Sequence, residues 1–208
     1  MDWQLDAAEV RVLGSLLEKE VTTPDYYPLS LNALVNACNQ KSNRDPVVAY
    51  DETVVEAALA GLRAKGLATR ITGGDSRVPK HAQRFTEQLN LGRREAALLC
   101  VLVLRGPQTV GELRGRAERL YAFDDLEAVE STLHRLTETG FVVELPRAAG
   151  SREPRHAHLL AGPVEMPAAE AAAPATEPAP SLAERVSALE QRLDQVIREF
   201  EEFRRNFE

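Results

Sequence analysis

Helical periodicity runs through the chain twice. From Leu5 onward, apolar residues recur at steps of three and four (Val10, Leu13, Leu17), the spacing that lines one face of an α-helix. From Leu91 the same rhythm returns at Leu98, Val101 and Leu102. A proline follows each helix, Pro28 or Pro107, and then Ser30 or Thr109 stands where its hydroxyl can cap a shorter second helix. A third helix is predicted after Asp51 and again after Asp125, ending at Gly66 and Gly140, residues suited to the left-handed position past a helix C-terminus. Leu67–Ile71 and Phe141–Leu145 then read as strands, with turns at Gly73-Gly74 and Ala149-Gly150.

The two passes are copies of one unit. SRVPKHA at Ser76–Ala82 and SREPRHA at Ser151–Ala157 share five of seven residues. Upstream, PLSLNAL (Pro28–Leu34) matches PQTVGEL (Pro107–Leu113), and VEAALAGLRAKGL (Val55–Leu67) matches VESTLHRLTETGF (Val129–Phe141). Three helices followed by a β-hairpin describe a winged helix-turn-helix. The expected fold is therefore α+β, mainly α, with winged-helix domains at 1–88 and 89–163. The repeated phrase opens the returning strand of each wing, where its proline suits a sheet edge.

The stretch LEKEVTTPDYYPLSLNALVNACNQKSNRDPV (Leu17–Val47), followed by RVPKHAQRF (Arg77–Phe85), resembles the YceH-like family of uncharacterised bacterial proteins. The resemblance spans roughly residues 5–160 and implies tandem winged helices in a bacterial cytoplasm. It implies no particular activity.

Beyond the second copy the composition becomes rich in Pro and Ala, and residues 164–181 read as a semi-extended linker. Residues 182–208 then place Leu182, Val186, Leu189, Leu193, Val196, Phe200, Phe203 and Phe207 at alternating steps of four and three. That is a heptad seam, and it predicts a coiled-coil helix that joins two copies of the chain. Arg185–Glu190 and Glu199–Arg204 would pair opposite charges across a parallel dimer.

Overall charge argues against nucleic acid, but its distribution does not. The net charge is −7, and it divides as −2 over residues 1–90, −1 over 91–166 and −4 over 167–208. The two copies are nearly neutral, which leaves room for a local basic patch. No apolar run is long enough to span a bilayer. Cys38 and Cys100 are the sole cysteines and sit in helical apolar spacing, as reduced core thiols would. A soluble cytoplasmic protein without membrane contact is expected.

Two stretches carry candidate chemistry. Asn39, Gln40, Lys41, Asn43 and Arg44 lie between the second and third helices of the first copy. Their side chains can hydrogen-bond base edges or phosphates, or equally cap and turn a polar loop. Arg77, Lys80 and Arg84 form a basic cluster on the first wing, fit to contact phosphate. His81 and His156 are better read as packing residues, and Glu9 and Glu95 as structural caps or ion pairs. The third helices bear acids (Glu52, Glu56; Glu127, Glu130, Glu138), which repel phosphate. No phosphate loop, nucleophile elbow or metal-ligand spacing appears, so neither catalysis, a cofactor nor a metal is expected. The expectation is a regulatory protein binding double-stranded DNA as a homodimer. The alternative is an adaptor whose winged helices bind another protein.

Overall fold

A computed structural model describes residues 3–73, 76–147 and 153–164, without the side chains of residues 76 and 77. Among these residues the fold is α+β, with seven α-helices and two small antiparallel sheets. The heptad residues Leu182 to Phe207 and nearly all of the linker lie outside the described residues. No helix among the described residues is long and apolar enough to cross a membrane.

In the first half, α1 (Ala7–Thr22) starts at Asp6, whose carboxylate accepts from the Glu9 amide at 2.8 Å while Glu9 accepts from the Asp6 amide at 2.9 Å. This reciprocal cap satisfies two amides that the helix leaves unpaired. After a 3₁₀ turn (Pro24–Tyr26), β1 (Leu29–Ser30) leads into α2 (Leu31–Cys38), capped by Ser30. Next comes α3 (Glu52–Ala64), capped by Asp51, followed by the hairpin of β2 (Ala68–Gly73) and β3 (Ser76–Gln83). The short α4 (Phe85–Gln88) connects to the second half.

There the order repeats as α5 (Arg93–Arg105), α6 (Val110–Ala117), α7 (Leu126–Glu138), β4 (Val142–Leu145) and β5 (Arg155–His158). Thr109 and Asp125 cap α6 and α7 as Ser30 and Asp51 cap their counterparts. Gly66 and Gly140 have φ of 72° and 76°, so both turns out of the third helix need the left-handed region. The hairpin registers also correspond: Arg70 faces His81 on β2–β3, and Glu144 faces His156 on β4–β5.

The strand carrying the repeated phrase departs from a simple edge. β3 lies between β1 and β2, which pairs it on two sides. β1 reaches only Lys80 and His81, however, so Pro79 falls just past its end, and the β2 register slips between Ile71 and Gly73. The proline, which has no N–H, thus sits where the ladder is locally incomplete. In the second half a single bridge from Gln108 to His156 replaces β1, and Pro154 precedes β5.

The core does not divide at residue 88. Ten consecutive residues of α1, Glu9 to Glu18, are buried, as are Ala97 to Leu104 of α5. A helix buried on every side must be packed on every side. α1 contacts α2 and α3 of its own half and α5 of the other. Gly14 permits that last approach, because a Cβ there would meet Val103 Cγ2 at 2.7 Å and Leu104 Cδ2 at 2.8 Å. Phe85 and Phe141 meet edge to face at 6.4 Å, and the Leu5 amide donates to the Leu160 carbonyl at 2.8 Å. Residues up to Val164 accordingly form one compact unit.

Candidate functional site

The polar loop after α2 is consumed by the fold. Asn39 donates to the Tyr50 carbonyl at 2.7 Å and accepts from the Tyr50 amide at 2.8 Å, tying the loop's two ends. Asn43 adopts φ of 57°, and its side-chain oxygen accepts from Arg105 at 2.9 Å. Gln40 accepts from Arg44 at 3.2 Å. Arg44 itself is 5% exposed, and its guanidinium donates to both oxygens of Glu18, at 2.9 and 2.6 Å, and to the Ala37 carbonyl. Arg44 therefore cannot contact DNA without leaving the core, which corrects the sequence expectation. A buried carboxylate on α1 needs a partner, and Arg44 is that partner. Lys41 remains exposed at the loop's tip.

Glu18 also joins the halves. Arg119, beyond the end of α6, reaches the same carboxylate. Burial would raise the Glu18 carboxyl, but the hydrogen bonds and charges of Arg44 and Arg119 outweigh it and hold the group below its ordinary range. The Asp45 amide donates to the Leu104 carbonyl at 2.9 Å, so the loop is pinned to α5 as well.

On the first hairpin, Lys80 is half-buried, Arg84 is exposed and pairs with Glu87 at 3.2 Å, and the side chain of Arg77 lies outside the described residues. His81 is 6% exposed and His156 7% exposed. Glu9 pairs with Lys65 and Glu95 with Arg135, fastening the first helix of each half to its third. In the first half Gly61 clears the way, since a Cβ there would collide with the Glu9 carboxylate. In the second, the corresponding residue is Arg135, which supplies the cation itself.

The informative feature emerges when the two halves are compared beside these histidines. In the second half a groove of about 550 Å³ runs between α7 and the hairpin. Leu126, Leu133 and Pro154 give it apolar walls, Glu130, Glu144 and Glu153 give it acids, and His156 lies alongside. Third-helix residues correspond at the 74-position interval that separates Gly66 from Gly140. On that interval Glu130 matches Glu56, Thr137 matches Arg63, and Glu144 matches Arg70. The first half thus places arginines where the second has a threonine and a glutamate. The histidines respond accordingly. Burial first, then the charges of Arg63 and Arg70, push His81 below the ordinary imidazole range, with Glu56 opposing. Burial also pushes His156 down, but there Glu144 and Glu130 oppose it. Among the described residues Lys41, Arg63, Arg70 and Lys80 make no ion pair.

Reading the sequence alone placed Glu130 among the third-helix acids but missed Arg63, Arg70 and Glu144 as a set. The signal was present, because the internal repeat aligns Arg70 and Glu144 with opposite charge. Cys38 and Cys100 are buried, and burial raises both thiols, which disfavours the reactive thiolate. Among the described residues no group of three His, Cys, Asp or Glu side chains is placed to hold a metal ion.

Comparison with known proteins supplies the chain's relatives. A family model described as "Protein of unknown function, DUF480" matches residues 5–151. A UPF0502 protein of Solibacter usitatus is 68% identical over 208 residues, covering all of both chains. A UPF0502 protein of Opitutus terrae is 54% identical over 171 residues, 81% of this chain and 74% of that one. Another, from Koribacter versatilis, is 56% identical over 173 residues, 81% of this chain and 80% of its own. With most of its folded unit matched by the family model and such identities to its relatives, the chain belongs to the DUF480 (UPF0502) family, the YceH-like bacterial proteins.

Proposed function

We propose that this is a non-enzymatic protein of two winged helix-turn-helix units, the first holding the backbone of duplex DNA and the second docking a protein. The observation that carries the reading is the charge contrast beside the two buried histidines. Arg63 and Arg70 stand in the first half where Thr137 and Glu144 stand in the second. The winged-helix assignment is supported by the shared order of three helices and a hairpin in both halves. It is supported further by the matched caps at Ser30 and Thr109, and at Asp51 and Asp125.

Glu52 and Glu56 face outward on α3, which handicaps insertion of that helix into a major groove. The reading is therefore of backbone contact through Lys41, Arg63, Arg70 and Lys80, with little discrimination between base sequences. It carries with it a cytoplasmic location. The heptad seam from Leu182 to Phe207 supports, on sequence alone, a homodimer that brings two such bodies to neighbouring sites. An adaptor that binds protein alone is favoured by one observation, the acidic groove of the second half.

The test is fluorescence anisotropy of a labelled duplex titrated with full-length protein between about 50 and 200 mM salt. Lys41→Ala and Lys80→Ala are expected to weaken binding and to flatten the log–log salt slope by about 0.9 per lost contact. Absence of duplex binding above background at the lowest salt would leave the adaptor reading in its place.

A further inference from the structure

We infer that a notch at the junction of the two halves is an anion site, sized and charged for a diphosphate group. The inference goes beyond the reading above and rests on no part of it. The notch measures about 440 Å³, within the range of small-ligand sites, and is lined by Asn43, Gly115, Arg116, Glu118 and Arg119. Asn43 comes from the loop after α2, and the others from α6 and the residues just past it. Arg105, at the end of α5, adjoins the notch through Asn43, to whose side chain its Nη1 donates at 2.9 Å. The loop is held in place by the buried Arg44–Glu18 pair and by the Asp45 amide on the Leu104 carbonyl, so the site needs little ordering on binding.

Positive charge gathers here. From Arg105 to Arg119 the chain carries four arginines against two glutamates, although each half is nearly neutral as a whole. The helix that α6 repeats, α2, has no charged residue, so the architecture does not require the arginines. Among the described residues Arg105 makes no ion pair. The carboxylates that meet the other two arginines are each shared with a further cation, Glu18 with Arg44 and Glu112 with Arg155. Burial first, then the charges of Arg116 and Arg119, hold the Arg105 guanidinium below its ordinary range, with Asp45 and Glu112 opposing. Repulsion among three guanidiniums is what a bound polyanion relieves. Glu118 is the acid that lines the notch; it is exposed and makes no ion pair among the described residues.

Hydrogen-bond donors remain as well. Arg105 uses Nη1 on Asn43, Arg119 uses Nη2 on Glu18, and Arg116 approaches Glu112 with Nη2. Each keeps its other terminal nitrogen without a hydrogen bond among the described residues. Guanidinium N–H groups fit phosphate oxygens, and three guanidiniums from separate points of the chain suit a group broader than a single phosphate.

The probe is inorganic diphosphate, titrated calorimetrically into full-length protein at about 150 mM salt without divalent cations. Saturable binding is expected, at least about tenfold tighter than that of sulfate. Gly115→Glu sets a carboxylate in the notch and is expected to weaken binding at least about tenfold. Gly111→Glu makes the same change one turn earlier on α6, outside the notch, and should stay within about twofold of the wild type. A Cβ at either glycine meets nothing within 4 Å, and Glu is the better helix former, so both variants should fold. Arg116→Gln should weaken binding severalfold, and Glu118→Gln should strengthen it. Absence of saturable diphosphate binding would overturn the inference, even where Gly115→Glu weakens duplex binding, because the notch would then belong to a DNA footprint. So would equal affinity for sulfate, or equal weakening by Gly111→Glu and Gly115→Glu.

Discussion

Glu18 and Arg44 show how a residue's charge can be misread when its partner is distant in sequence. Arg44 sits among Asn, Gln, Lys and Ser, a composition typical of a solvated loop. Its guanidinium is nonetheless fully buried against a carboxylate that is itself buried, with both side chains at 0% exposure. Glu18→Leu would leave Arg44 charged and unpaired, and a loss of about 3–5 kcal/mol in urea unfolding is expected. Replacing both, Glu18→Leu with Arg44→Met, should recover most of that loss, since a well-packed apolar pair can substitute for a buried ion pair. Arg119, at 38% side-chain exposure, can turn to water in either variant. The strand histidines make a second residue-scale prediction. Burial lowers His81 and His156, and it lowers His158 to about 4. As pH falls from about 6.5 towards 4, the unfolded chain takes up protons that the folded one refuses, so stability falls. For His158 alone the loss approaches roughly 3 kcal/mol. Thermal melts across that window should show it, and His158→Gln should flatten the dependence.

At the scale of elements, most of the fold was legible because its punctuation is local. Ser30, Thr109, Asp51 and Asp125 cap the helices that follow them, and Gly66 and Gly140 take the left-handed turn, each within a few residues of the signal. The two-residue β1 was not legible, because its pairing with Lys80 and His81 lies some fifty positions away in the chain. Nor was the junction of the two halves, though α5 carries a clue in its nearly unbroken apolar run from Ala96 to Leu104. A helix with one covered face needs only a stripe. The junction rests on the close approach at Gly14. Gly14→Ala would force its methyl against Val103 and Leu104, side chains already buried to 5% and 2% exposure. A loss of about 1–3 kcal/mol in chemical denaturation is expected, typical of overpacking. Gly111→Ala, on the open face of α6 where a Cβ meets nothing within 4 Å, should be neutral or stabilising.

At the scale of the whole molecule, one duplicated architecture has been given two different surfaces. The shared core fixes the halves as a unit, while the positions beside each buried histidine vary in charge without disturbing the packing. The candidate site was half legible for this reason. Exposed residues carry no periodic signal, and the basic loop that looked most suited to DNA is largely occupied in holding α1, α2 and α5 together. The repeat itself was the better guide, because alignment of the copies exposes Arg70 against Glu144. The central claim is that this inversion assigns different partners to the two halves, and a reciprocal charge exchange in full-length protein tests it most directly. Arg63→Thr with Arg70→Glu gives the first half the second half's residues, and Thr137→Arg with Glu144→Arg does the reverse. Duplex binding followed by anisotropy across salt should weaken by more than about tenfold in the first variant, with its salt slope reduced by about two contacts' worth, and should persist or strengthen in the second. Unchanged duplex affinity and an unchanged slope in the first variant would contradict the account.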